Sequence, residues 1–80
     1  MSEAEIRERL TDAFREVFDD DSIEIFDAMT ATDLEEWDSL NHINLIVAVE
    51  GSFGIKFTTK EVSNLANVGE FIALIAGKLA

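Results

Sequence analysis

Cysteine is absent from the 80-residue chain, and with it go both a disulfide framework and a thiolate metal site. Any thiol chemistry in which the chain takes part has to come from an attached group. Long apolar runs are missing too: no stretch reaches the length of a membrane span, and Met1-Ser2-Glu3-Ala4-Glu5 lacks the basic and apolar regions of a signal peptide. A cytoplasmic location without membrane insertion is the expectation. Basic residues are scarce, six against seventeen acidic ones, for a formal charge of −11 at pH 7. That balance repels nucleic-acid backbones and anionic membranes, so no nucleic-acid partner is expected, and it favours basic patches on other proteins. Excess acid also serves simply to keep a small domain in solution.

Hydrophobic residues make up 48% of the chain, too many for an acidic tail and enough for one packed interior. Residues 1–80 therefore read as a single domain that folds alone as a monomer. Ser2 with Glu5 forms a capping-box pattern, and Ile6, Leu10, Ala13, Phe14, Val17 and Phe18 recur on one helical stripe. Arg7, Glu8, Arg9, Asp12, Arg15 and Glu16 fall off that stripe towards solvent, with Glu5 and Arg9 spaced for an i, i+4 pair. Asp19-Asp20-Asp21 crowds the negative end of the helix dipole and ends the helix. A calcium loop counted from Asp19 fails, because Ile23 falls at a ligand position and the central glycine is missing. From Ser22 to Trp37 no long period is visible. Ile23, Ile25, Phe26, Met29 and Leu34 are expected to pin this crossover to the core, with Thr32 or Asp33 capping a brief turn. Trp37 is either an anchor for the loop end or a wall beside the residues that follow.

Asp38-Ser39-Leu40 opens the most apolar run, a helix to Phe53-Gly54. A hydroxyl at a helix start is usually a cap, yet an anionic group attached there would meet unpaired N–H groups and the positive end of the dipole. Two apolar faces follow. Leu45, Ile46, Val49 and Phe53 form the core stripe, while Leu40, Ile43 and Val47, flanked by Asn44 and Glu50, lie on a second line. That second line is either an exposed recognition ridge or part of a helix buried nearly all round. Gly51 is placed inside the helix, for close packing or merely weakening the last turn, and Gly54 ends it in a left-handed conformation. Thr58 with Glu61 opens a short helix to Asn64 or Leu65. Asn67 with Glu70 opens a last one, whose stripe is Val68, Phe71, Ile72, Ile75 and Leu79. Asp38, Ser39 and His42 do not make a hydrolase, since the nucleophile elbow and an oxyanion loop are absent. His42 is expected to face solvent.

Asp38-Ser39-Leu40, followed by Ile43, Leu45, Ile46, Val49, Glu50, Phe53 and Ile55, resembles the modification site and second helix of acyl carrier proteins. The resemblance runs through nearly the whole chain and implies an all-α, small four-helix bundle: three main helices, one short helix and a long loop between helices 1 and 2. It implies a non-enzymatic carrier of acyl or aminoacyl thioesters on 4′-phosphopantetheine, covalently attached to Ser39. Asp38 would help to present Ser39 to a phosphopantetheinyl transferase. Leu40, Ile43, Asn44, Val47, Glu50 and Glu61 would meet acyl-loading and acyl-processing enzymes. Asn41 and Asn44 stand where fatty-acid carriers are commonly acidic, Gly51 replaces a usual Glu, and Phe57-Thr58 replaces an Ile-Pro pair in a chain without proline. These departures are similar to those of a stand-alone carrier in a specialised pathway, with fatty-acid-like or polyketide cargo as the other expectations. The alternative is an unmodified acidic adaptor that binds proteins through Leu40, Ile43 and Val47.

Overall fold

The computed structural model describes residues 2–79; Met1 and Ala80, the ends of the expected domain, lie outside the described residues. Four helices follow one another: α1 (Glu3–Phe18), α2 (Ser39–Phe53), α3 (Thr59–Ser63) and α4 (Val68–Leu79). The first begins as its capping box dictates, with the Ser2 hydroxyl accepting from Glu5 N–H and the Glu5 side chain accepting from the Ser2 backbone. It ends at Asp19, which takes the left-handed conformation at φ 52°. α1 packs against both α2 and α4. Ile6, Leu10 and Phe14 meet Leu45, Val49, Val68, Phe71 and Ile75 in one buried cluster, and among the described residues no polar side chain is buried with them. α1, α2 and α4 each contribute the stripe their sequence period marks out, while α3 buries no residue fully, and burial of those stripes is the main favourable term. Among the described residues no helix is long and apolar enough to cross a membrane.

The α1–α2 crossover is ordered by long-range polar ties. Arg15 Nε donates to the Ile23 carbonyl at 2.9 Å, and the Arg7 guanidinium reaches Asp27 at 2.6 Å and Glu3 at 3.4 Å. Both arginines, expected to face solvent, are thus half-buried struts, and the proximity of Asp27 raises the pKa of Arg7 further. The expected Glu5–Arg9 pair does not form, because Glu5 is taken by the cap and Arg9 donates to the Ser52 carbonyl at 3.3 Å. Residues 31–36 are hydrogen-bonded turns, Asp33 N–H to Thr30 O and Trp37 N–H to Leu34 O, each at 3.0 Å. Asp33 does not cap forwards; its carboxylate accepts from Thr30 N–H at 2.9 Å. Ile23 and Met29 are buried and Ile25 and Leu34 partly so, but Phe26 is half exposed and does not pin the loop as expected. The Asp27 carbonyl accepts from Gly69 N–H at 2.8 Å and the Met29 carbonyl from Val68 N–H at 2.9 Å, so the loop's backbone satisfies the first turn of α4, and Phe26 lies just before this tied segment. A side chain at residue 69 would sit 3.2 Å from the Asp27 carbonyl, which is why glycine stands there. The Asn67–Glu70 pair is only half a capping box: Asn67 Oδ1 accepts from Glu70 N–H, but the Glu70 carboxylate accepts from Ala66 N–H.

Gly54, at φ 67°, ends α2 as expected, its N–H bonding to the Glu50 carbonyl at 2.9 Å. Gly51 has open space around its Cβ direction, so close packing is not its reason. Gly51→Ala is therefore expected to stabilise the fold by roughly 0.5–1 kcal/mol, the helix-propensity difference. A thermal melt checks this, with a midpoint several degrees higher as the expected result.

Candidate functional site

The start of α2 divides two tasks between neighbouring residues. Asp38, extended at φ −99° and ψ −176°, is the N-cap, and its Oδ1 accepts from Asn41 N–H at 2.8 Å. Asn41 in turn donates from Nδ2 to the Glu36 carbonyl at 2.8 Å, which fastens the loop end to the helix. Ser39 is the first helical residue; it is exposed, and no hydrogen bond within the described residues takes up its hydroxyl. The cap that a serine in this position suggests is supplied by Asp38. The Ser39 oxygen is consequently free, and it stands beside the orphan N–H groups and partial positive charge of a helix N-terminus. Asp38→Ala is expected to cost about 1 kcal/mol of stability, whereas Ser39→Ala changes it by less than about 0.5 kcal/mol. Paired denaturant titrations of the two variants check that split.

Ser39 opens on a cleft of about 510 Å³ between the start of α2, α3 and the segment leading into α4. Trp37, His42, Val62, Leu65 and Phe71 give it an apolar wall with a few polar groups among them. Such mixed lining suits an elongated, partly polar chain attached at its mouth. Trp37 fills both roles open to it: it is 8% exposed and meets Phe14 edge-on at 5.2 Å, and it also lines the cleft. His42 does not face solvent as expected. It is half buried, stacked against Trp37 with ring centroids 6.0 Å apart, and its Nδ1 accepts from Trp37 Nε1 at 3.0 Å. That contact also dismantles a Ser–His–Asp arrangement, since His42 is held by Trp37 and Asp38 by the Asn41 N–H. Sequence reasoning missed this indole–imidazole pair; the only hint was the spacing of five between two ring residues across a helix start.

Leu40, Ile43 and Val47 are 69%, 60% and 61% exposed, so α2 is not buried all round and the second apolar line is a surface ridge. Asn44 is exposed on the same stretch, its Nδ2 3.4 Å from Asn41 Oδ1. Glu50 and Glu61, grouped with these by resemblance, are engaged within the fold. Glu50 Oε2 accepts from Phe57 N–H at 2.7 Å, and Glu61 caps α3 through Thr58 and pairs with Lys78 at 2.9 Å. The Thr58 backbone donor, followed by Lys78, lowers the pKa of Glu61. The first turn of α2 carries no acidic side chain. Among the described residues no cluster of His, Asp and Glu is arranged to hold a metal ion.

No family model matches the chain. The acyl carrier protein of Acidothermus cellulolyticus is 32% identical over 76 residues, a match covering 95% of this chain and 90% of that protein. Among solved structures, the holo acyl carrier protein of Geobacter metallireducens superposes with a TM-score of 0.86 at 46% identity, covering 91% of this chain and 84% of that one. End-to-end likeness in sequence and in all-helical fold agrees with a carrier rather than an enzyme: the chain belongs to the acyl carrier protein family.

Proposed function

We propose that Ser39 is esterified by 4′-phosphopantetheine and that the chain carries acyl or aminoacyl groups as thioesters between enzymes of a fatty-acid-like, polyketide or other specialised biosynthesis. The observation that carries this reading is the Ser39 hydroxyl, exposed at the first position of α2 and relieved of capping by Asp38. When bound, the arm supplies the thiol that a chain without cysteine lacks. The chain's own residues do the rest. The α2 N-terminus stabilises the anionic linkage to Ser39 Oγ, Asp38 and Asn41 fix the turn that presents it, and the cleft offers the arm a wall. A tethered substrate has a high effective concentration at each docked enzyme, so brief encounters suffice.

Partners are a phosphopantetheinyl transferase and acyl-loading and acyl-processing enzymes that take the Leu40–Ile43–Val47 ridge in an apolar groove. The formal charge of −11 draws basic patches towards the chain. At its N-terminal end the ridge is bordered by Asn41 and Asn44, and Glu50 beyond Val47 is engaged by Phe57 N–H, so shape and apolar contact carry more of the docking than ion pairs do. The carrier acts as a monomer in the cytoplasm.

Thiol titration tests the proposal without knowledge of the cargo. After incubation with coenzyme A, Mg²⁺ and a broad-specificity phosphopantetheinyl transferase, then removal of the small molecules, the protein is expected to react with a thiol reagent at one equivalent per chain. A titre of zero after complete treatment overturns the reading, and a chain without cysteine contributes no background thiol.

A further inference from the structure

The Trp37–His42 contact does more than fasten the loop. A tryptophan N–H can only donate, so Nδ1 of His42 is the acceptor and the ring proton resides on Nε2. The indole is itself immobilised, buried and edge-on against Phe14, so the tautomer and the plane of the imidazole are set from the core. His42 stands one helical turn beyond Ser39, and helical side chains lean towards the N-terminus, which brings the ring over the turn that holds the serine. Both residues line the same cleft. No hydrogen bond within the described residues takes up Nε2. The result is a donor of fixed tautomer at the cleft wall, next to the attachment point and without an internal partner.

We infer that His42 is a positioning residue for the group carried on Ser39: its Nε2–H donates to an oxygen at the proximal end of the arm, phosphodiester or first amide carbonyl, and holds that end in the cleft. The inference rests on Ser39 being the esterified residue. It gives Trp37 a second purpose, since the indole fixes which imidazole nitrogen carries the proton. It also gives the carrier a defined resting position for its arm, from which a partner enzyme must draw it out.

The test compares the apo and fully modified proteins by long-range ¹H–¹⁵N correlation at the imidazole, with intact mass confirming complete modification. Nε2 is expected to shift on modification while Nδ1 keeps its acceptor position, and exchange of the Nε2 proton with water is expected to slow by about tenfold, as one hydrogen bond of ordinary strength provides. Trp37→Phe keeps an aromatic ring against Phe14 but removes the donor, and is expected to mix the tautomers and weaken the Nε2 response. In His42→Phe, a change in the arm's ³¹P resonance places the acceptor on the phosphodiester, and a change confined to the first amide places it on the carbonyl. Unchanged arm resonances in His42→Phe, or an Nε2 signal identical in apo and modified wild type, overturn the inference while leaving the carrier reading intact. Failure of the mass to increase overturns both.

Discussion

Phe14→Ala is expected to remove about 3–5 kcal/mol of stability, out of a total that for 80 residues is of the order of 4–12 kcal/mol. The ring is fully buried, and it touches Phe18 at 5.8 Å between centroids and Trp37 at 5.2 Å. Removing it leaves a cavity under the joint between the crossover and α2, which a small core has little means of filling. The effect therefore reaches the site. Without Phe14 the indole loses its backing, and the hydrogen bond that orients His42 loses its fixed donor. A urea titration followed by Trp37 fluorescence is expected to show a much lower midpoint with an unchanged slope. A loss below about 1 kcal/mol would mean that the α1–α2 joint repacks freely.

Charge on the ridge is expected to produce the other large effect. Ile43 is 60% exposed, so Ile43→Asp should alter stability by less than about 0.5 kcal/mol. In a docked complex the same carboxylate would be desolvated against an apolar groove without a partner. Binding to a phosphopantetheinyl transferase is expected to weaken by at least roughly thirtyfold, equivalent to about 2 kcal/mol. Lys60→Gln on the exposed face of α3 serves as the control of equal charge change, one unit more negative in each case. Titration calorimetry with the transferase separates the cases. An equal change in affinity with both substitutions would indicate diffuse electrostatics rather than a docking ridge.

Much of this architecture is legible in the sequence because its signals are local. Ile6, Leu10 and Phe14, or Leu45, Val49 and Phe53, repeat on one face within a single helix, and Ser2–Glu5 and Thr58–Glu61 are complete within four residues. The ties that order the crossover are not local. Arg7 to Asp27 and Gly69 to Asp27 join segments far apart in the chain, and no period or motif marks them. Phe26 misleads for the same reason: an aromatic in an aperiodic stretch carries no sign of which way the backbone turns it. At the candidate site the ambiguity was a shift of one residue. Aspartate and serine are both good caps, and only the placement of Asn41 N–H against Asp38 Oδ1 shows which acts and leaves the other free. The exposure of Leu40, Ile43 and Val47 likewise needed the fold, since a two-faced apolar helix is equally compatible with full burial.

The claim that everything else depends on is that Ser39 is the attachment point. Its most direct test is the intact mass of wild-type protein and of Ser39→Ala after incubation with coenzyme A, Mg²⁺ and a phosphopantetheinyl transferase, with the folded state of each confirmed by a melt. A gain of one 4′-phosphopantetheine mass is expected in the wild type and none in the variant, with the two melting alike. An unmodified wild type, or a gain of the same mass in Ser39→Ala, would contradict attachment at Ser39.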